Sequence, residues 1–334
     1  LPRRATIYDV ASEAGVSIST VSLALNTPAR VSDRTRQRVL QAADRLGYTP
    51  KPDAVAKARK GVGRIGVIAP YTSYPSVARR LKGVLQAVAG SPLEVVVFDH
   101  PSAARSASPL LAGLPLTGRL DGLIVVSLPL EDSTAERLSG LGLPTVLVDG
   151  NRPGFDSVRT DDAEGGRLVA EHLVERGHGS FGFLGESQES DAYVSPGQRR
   201  LAGFRAALED SGQLLPPESV HFTAHGLEQA AAAAEGLLSG PRRPTALFAG
   251  DDLLAAGALR AARALGLKVP EDLALAGFDD TDLAGALDLT TVRQPLEESG
   301  RAATELLMRR MGSAEPSAVR ETTLRLELVR RGST

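Results

Sequence analysis

From Arg64 onward, short runs of uninterrupted apolar residues alternate with stretches of helical periodicity, and this pattern recurs twice. RIGVIAP, LEVVVFD, DGLIVV and PTVLVD form a first series; SFGFLG, SVHF, PTALFAG and DLALAGFD form a second, beginning after Asp161. Strands that are apolar on both faces and separated by helices predict parallel sheets covered on both sides. Two such series predict two similar α/β lobes. In open parallel sheets the ligand sits beyond the carboxyl ends of the strands, so the loops there are where function is sought.

Those loops carry a consistent chemistry. Tyr71, Ser73 and Tyr74 follow the first strand, Ser127 the third and Asp149 the fourth. In the second series Arg200 opens a helix, Phe222 ends a strand, Asp251 and Asp252 follow FAG, and Asp279 and Asp280 follow LAGF. Aromatic faces stack on sugar C–H surfaces, carboxylates accept from vicinal hydroxyls, and a guanidinium donates in a fixed fork. Taken one at a time, Asp251 and Asp280 read equally well as helix N-caps. Their repetition along one sheet edge favours a binding site, with Tyr71, Ser73, Tyr74, Ser127, Asp149, Arg200, Phe222, Asp251 and Asp279 as its expected members.

Enzymatic signatures are missing. The chain contains no G-x-x-x-x-G-K-[ST], no H-E-x-x-H and no G-x-S-x-G, the spacings that cradle phosphate, hold zinc or present a nucleophile. Gly61-Val62-Gly63-Arg64-Ile65-Gly66 matches G-x-G-x-x-G but precedes a strand and opens no helix, so it is no dinucleotide fingerprint. The five histidines are scattered, and the His221/His225 pair falls at a strand end, where a spacing of four places no two side chains on one helical face. No catalytic residue, metal or cofactor is expected.

The N-terminal stretch TIYDVASEAGVSISTVSLALN, from Thr6 to Asn26, has a different grammar. Thr6 with Asp9 forms a variant capping box, Val10, Ala11 and Ala14 an apolar face, and Gly15 a break. Ser17 can cap a second helix whose Val21, Ala24 and Leu25 point inward, leaving Ile18, Ser19, Ser22 and Leu23 outward. Glycine-joined helix pairs also occur in ordinary bundles; with an outward face of this kind they enter the major groove of DNA. A third helix follows, capped at Ser32, striped by Val39, Leu40, Ala43 and Leu46, and ended by Gly47. Arg34, Arg36 and Arg38 near its start are expected to face phosphates. Residues 50–63 then turn proline-rich, basic and glycine-rich, which is linker composition too short to be helical alone.

Charge separates the two regions. The formal total of −2 divides into +6 through Lys60 and −8 beyond it. A basic head on an acidic body is what a phosphate contact confined to one end needs. The 334 residues suffice for two or three compact units. With no cysteine there is no disulfide scaffold, thiol nucleophile or thiolate metal site. No apolar run approaches the roughly 18 residues of a membrane span, and LPRRATIYD lacks a signal-peptide core. A cytoplasmic protein without a membrane partner is expected.

Across nearly its whole length the chain resembles the LacI/GalR transcriptional regulators. The matching text is TIYDVASEAGVSISTVSLALN, VSDRTRQRVLQAADRLGYTP, RIGVIAP, DGLIVVS, HLVERGH, RRLAGFRAAL, DDLLAAGAL, VPEDLALAGFDD and LTTVRQP. The resemblance implies an all-α helix-turn-helix headpiece (1–49), a hinge (50–63) and an α/β two-lobed core of periplasmic-binding-protein type (64–334). The first lobe would take about 64–161 and 292–321, the second about 162–291 and 322–334, with the strand TLRLELV returning to the second. It further implies a repressor that binds palindromic double-stranded operator DNA as a homodimer, in some relatives a tetramer, under control of a mono- or oligosaccharide. A sugar-binding protein without DNA function and a regulator answering a nucleobase or nucleoside are the alternatives. Carried over by position, the DNA-facing residues are Thr6, Ser17, Ile18, Ser19, Thr20, Ser22, Leu23 and Asn26, with Val55 and Lys57 in the hinge; the effector residues fall on Arg200, Phe222, Asp251 and Asp279, with the loop from Tyr71 to Val77 facing them. Three departures stand out. Leu23 replaces a frequent arginine, Lys57 stands where a leucine wedge is expected, and Tyr74-Pro75-Ser76-Val77 replaces N-P-F-F.

Overall fold

A computed structural model describes residues 5–48, 62–70, 74–100, 109–188, 194–313 and 318–334. These group into two compact units. One comprises Leu1–Ser73, Arg80–Val158 and Ser299–Glu321; the other Tyr74–Arg79, Arg159–Glu298 and Thr322–Thr334.

The first unit begins with three helices, α1 (Ile7–Ala14), α2 (Ile18–Asn26) and α3 (Asp33–Arg45). The capping signals act as local chemistry dictates. Thr6 accepts from the Asp9 amide while Asp9 accepts from the Thr6 amide, so two of the orphan donors at the helix start are satisfied reciprocally. Gly15 ends α1 at φ 61°, a left-handed conformation that costs glycine nothing. Ser17 and Ser32 cap the next two helices through the amides of Thr20 and Thr35. Val10, Ala14, Val21, Ala24, Leu25, Val39, Leu40 and Ala43 form the shared core.

The sheet of this unit has the strand order β11-β5-β4-β3-β1-β2. It is built from β1 (Gly63–Pro70), β2 (Leu93–His100), β3 (Gly122–Val126), β4 (Thr145–Val148), β5 (Asp156–Thr160) and β11 (Glu321–Leu324). β1 pairs in parallel with both β2 and β3, which makes the gap between β1 and β3 the topological switch point. Its helices are α4 (Pro75–Val88), whose first residues group with the second unit, α5 (Pro109–Gly113) with the 3-10 turn Leu114–Thr117, α6 (Asp132–Gly140) and α12 (Leu296–Gly312).

The second unit repeats the design with order β12-β10-β9-β8-β6-β7. Here β6 (Phe181–Glu186) pairs in parallel with β7 (Val220–Thr223) and β8 (Ala246–Ala249); β9 (Ala274–Asp279) and β10 (Thr290–Arg293) continue the sheet, and β12 (Glu327–Val329) closes it antiparallel. α7 (Asp162–Glu175), α8 (Pro196–Asp210), α9 (Leu227–Leu238), α10 (Asp252–Ala264) and the short α11 (Asp282–Ala286) cover it. Phe181, Phe183, Phe204, Phe248 and Phe278 are fully buried and interlock mostly edge to face or tilted. α7 and α8 touch through bare backbone: a Cβ on Gly166 would lie 2.0 Å from the Arg200 carbonyl, and one on Gly203 1.9 Å from that of Ala163. Only glycine at both positions lets the helices approach closely enough to bring Arg200 beside Asp162.

One expectation needs correction. TLRLELV is not a single strand of the second lobe: β11 joins the first sheet and β12 the second, with Arg325 and Leu326 between them. Its uniform apolar alternation carries no mark of the change of sheet. Among the described residues no helix is long and apolar enough to cross a membrane.

Candidate functional site

The face that the sequence offers for DNA contact lies at the N-terminal half of α2. Ser17 and Ser19 are exposed, as is Ile18, at 41%. The Ser17 hydroxyl lies 2.7 Å from that of Ser19 and 2.8 Å from that of Thr20, so the three form one hydroxyl cluster at a helix N-terminus. Thr6, Thr20, Ser22, Leu23 and Asn26 are half-buried, and Asn26 donates back to the Ser22 carbonyl. Tyr8 on α1 is also exposed, at 67%, a position the sequence pattern did not single out. The arginines of α3 divide. Arg34 is exposed, whereas Arg36 pairs with Asp33 and Arg38 donates to the Ala14 and Gly15 carbonyls that end α1. For Arg38 the expected phosphate partner is replaced by an internal one, because the C-terminal carbonyls of α1 need a donor. Val55 and Lys57 lie outside the described residues.

In the second unit the strand ends converge on one guanidinium. Arg200, on the first turns of α8, is buried; its Nε donates to Asp162 Oδ1 at 3.0 Å and one terminal nitrogen to the Gly250 carbonyl at 2.6 Å, while the other lies 3.7 Å from Asp279. Its Cζ sits 3.7 Å above the Phe278 ring. Burial alone would favour loss of the proton, but Asp162 and Asp279 outweigh it and hold Arg200 firmly charged. Asp279 ends β9 at φ 105°, with its carboxylate fixed at 2.5 Å by Gln294. A non-glycine residue in that conformation is strained, and such strain gathers where side chains must be aimed.

Asp251 is a helix cap, and its second oxygen is engaged elsewhere. One oxygen caps α10 by accepting from the Leu254 amide at 2.8 Å, and the other meets His225 Nε2 at 2.6 Å. Burial opposes both charges, yet mutual attraction wins: His225 is raised and Asp251 lowered, each favouring the charged form of the other. Tyr74 stacks on His225 with ring centroids 3.8 Å apart. Phe222 stands 42% exposed and packs edge-on against Phe183. Asp280 does not cap a helix; Arg293 and Arg331 hold its carboxylate and keep it below the usual range despite partial burial.

Arg200, Asp251 and Asp279 are thus members of one polar network, whose further parts are Asp162, Asp252 and His225. The sequence pattern places Asp252 at the same strand end without choosing it as a member, offers His225 only as half of an unsuitable metal pair, and does not single out Asp162. In the first unit, Ser127 and Asp149 form their own group at the ends of β3 and β4, both at positive φ (49° and 58°). Ser127 donates to Asp149 at 2.8 Å, and Arg80 pairs with the same carboxylate oxygen at 2.8 Å. Tyr71 and Ser73 lie outside the described residues. Among those described, no group of three His, Cys, Asp or Glu could hold a metal ion.

A helical DNA-reading head and an α/β unit with a charged, aromatic-floored site at its strand ends define a ligand-responsive DNA-binding regulator. Comparison with known proteins agrees. Residues 6–51 match the family described as bacterial regulatory proteins of the lacI family, and residues 170–334 match the periplasmic binding protein-like domain. The HTH-type transcriptional regulator DegA of Bacillus subtilis is 33% identical over 99% of this chain and 98% of its own length. Among solved structures, a transcriptional regulator CelR–cellobiose complex aligns with TM-score 0.71 and 28% identity, covering 99% of this chain and 100% of that one. A lac repressor dimer bound to operator and the anti-inducer ONPF aligns with TM-score 0.68 and 27% identity, covering 99% of both. The chain belongs to the LacI family of helix-turn-helix transcriptional regulators, with a DNA-binding headpiece and an effector-binding core. Its relatives are regulators, not enzymes.

Proposed function

We propose that this chain is a homodimeric repressor of a palindromic operator and that a mono- or oligosaccharide, bound at the Arg200–Asp251–Asp279 network, controls its grip on DNA. The carrying observation is the buried guanidinium of Arg200, held between Asp162 and Asp279 over the face of Phe278. Sugar hydroxyls both donate and accept, so a site of fixed carboxylates and a fixed cation suits them. Exposed Phe222 supplies a stacking face. The cellobiose complex of CelR supports the ligand class, and the operator-bound dimer of lac repressor supports the assembly.

On this reading residues 1–49 are the headpiece, 50–63 the hinge and 64–334 the core; Tyr74, stacked on His225, joins the effector residues of the second unit, and Tyr71, Ser73, Ser127 and Asp149 keep the effector role expected from the sequence. Ile18 and Leu23 read bases by apolar contact, thymine methyls included, and Ser17, Ser19, Thr20 and Ser22 hold phosphates and edges. Lys57 contacts phosphate in place of wedging a base step, and Val55 offers the apolar side chain beside it. Calorimetry with a panel of cellobiose, ribose, other mono- and disaccharides and nucleosides tests the ligand class. A saccharide is expected to bind wild type and to lose about tenfold or more in Phe222→Ala and Arg200→Met. Binding of a nucleoside with no saccharide would overturn it.

A further inference from the structure

The headpiece is seated on the body of its own unit by a contact that does not involve the hinge. Arg137, on α6, is almost wholly buried, its side chain 5% exposed. One terminal nitrogen donates to the Ala112 carbonyl at 2.7 Å, which fixes the guanidinium within the body. The other two nitrogens face the headpiece: Nε donates to Asp44 Oδ1 at 2.9 Å and the second terminal nitrogen to Oδ2 at 2.7 Å. This is a bidentate fork onto a residue in the last turn of α3, and its planarity restrains orientation as well as distance.

An apolar contact stands beside it. Leu116, in the 3-10 turn after α5, is 2% exposed and belongs to the core of the headpiece, with Ala112 and Leu141 packed against the same cluster. The backbones also meet closely, since a Cβ on Gly113 would lie 3.5 Å from the Leu25 carbonyl. A crevice of about 340 Å³, lined by Ala43, Asp44, Tyr48, Leu116, Glu136 and Arg137, runs along the junction. The seat thus grips α2 at its C-terminal end and α3 at its last turn, while Ser17, Ile18 and Ser19 at the opposite end of α2 remain exposed.

We propose that this seat is a second, hinge-independent coupling, which holds the reading helix in a set position on the core and thereby sets the half-site spacing that the dimer accepts. In a dimer with seated heads, the separation of the two reading helices is a property of the cores, and a helix-turn-helix dimer reads half-sites only at the matching separation. A head tethered by the linker alone would tolerate a range of spacings. The proposal rests on the reading of the chain as an operator-binding dimer.

The test uses the full-length protein. Duplexes are selected in vitro from a random library, then remade with the half-site spacer lengthened or shortened by single base pairs, and affinities are measured for wild type, Arg137→Ala and the charge exchange Asp44→Arg/Arg137→Asp. Wild type is expected to discriminate between optimal and displaced spacing by roughly tenfold or more, Arg137→Ala to flatten the profile, and the exchange to restore it in part. Hydrogen exchange without DNA gives a separate readout: amides of Leu25 and Leu116 should lose protection in Arg137→Ala while Val10 and Val21 keep theirs. An unchanged spacing profile in Arg137→Ala overturns the proposal, even if the amides open. If no duplex is selected by any variant, the operator reading fails instead, and unchanged exchange would then dismiss the seat as well.

Discussion

Asp252 offers a sharp test of the electrostatics at the strand ends. Its carboxylate is 1% exposed, accepts from the Thr281 amide and hydroxyl on Oδ2 at 2.7 and 2.9 Å, and accepts from the Thr291 hydroxyl on Oδ1 at 2.6 Å. Burial and the neighbouring charge of Asp279 together outweigh these bonds and push its pKa from 3.8 to about 7. Because the raised value belongs to the folded state, the folded chain holds a proton that the unfolded chain releases. The group's contribution is therefore fully present below about pH 3.8 and is lost as pH rises through about 7. The whole loss is roughly 4 kcal/mol, of which about 2.5 kcal/mol falls between pH 5 and pH 8.

Asp252→Asn removes this dependence without dismantling the network. The amide oxygen in the Oδ2 position still accepts from Thr281, and the amide nitrogen in the Oδ1 position donates to a rotated Thr291 hydroxyl. Urea denaturation followed by circular dichroism at several pH values provides the assay. The variant should gain on wild type by about 2.5 kcal/mol as pH rises from 5 to 8. A stability gap that stays constant over that range refutes the argument, because it would mean that Asp252 is ionised throughout.

Three further outcomes are expected. Deleting the residues before Arg64 should abolish operator retardation in gels while leaving effector affinity nearly intact, since the network around Arg200 is wholly inside the second unit; retained retardation contradicts the role given to the headpiece. Lys57→Leu should increase operator bending, read as slower migration of circularly permuted duplexes, and unchanged mobility would remove Lys57 from that role. Asp156→Asn should destabilise the first unit by about 3 kcal/mol at neutral pH, because Asp156 is buried and takes both nitrogens of an Arg310 fork at 2.7 and 2.8 Å together with the Arg320 amide. Despite its burial, Arg310 and the Arg320 amide hold its pKa low, so the advantage of wild type is present above the ordinary carboxylate range and fades as pH falls below it. A difference that persists unchanged at pH 3 would fail this expectation.

What the sequence determines by itself is local and periodic. Thr6, Ser17 and Ser32 cap helices because the first amides of a helix need an acceptor within three residues, and that partner is written into the adjacent text. Runs such as GLIVV and ALFA become central strands because only a sheet covered on both faces hides them. Topology then follows from the helices between them, and so does the line of strand ends on which Arg200, Asp251 and Asp279 were expected.

Tertiary structure alone decides the partners. Asp251 reaches His225, Arg200 reaches Asp162, and Arg137 reaches Asp44 across 26, 38 and 93 positions, and no periodicity links residues so far apart. Whether an acid caps, pairs or keeps its proton depends on the charges brought beside it and the water taken away. Arg38 shows the same limit from the other side: its charge was legible, its partner was not, because a helix terminus 24 positions away consumed it. The alternation of TLRLELV likewise stated that strands would form, while the choice between two sheets rested with which edge each half could reach.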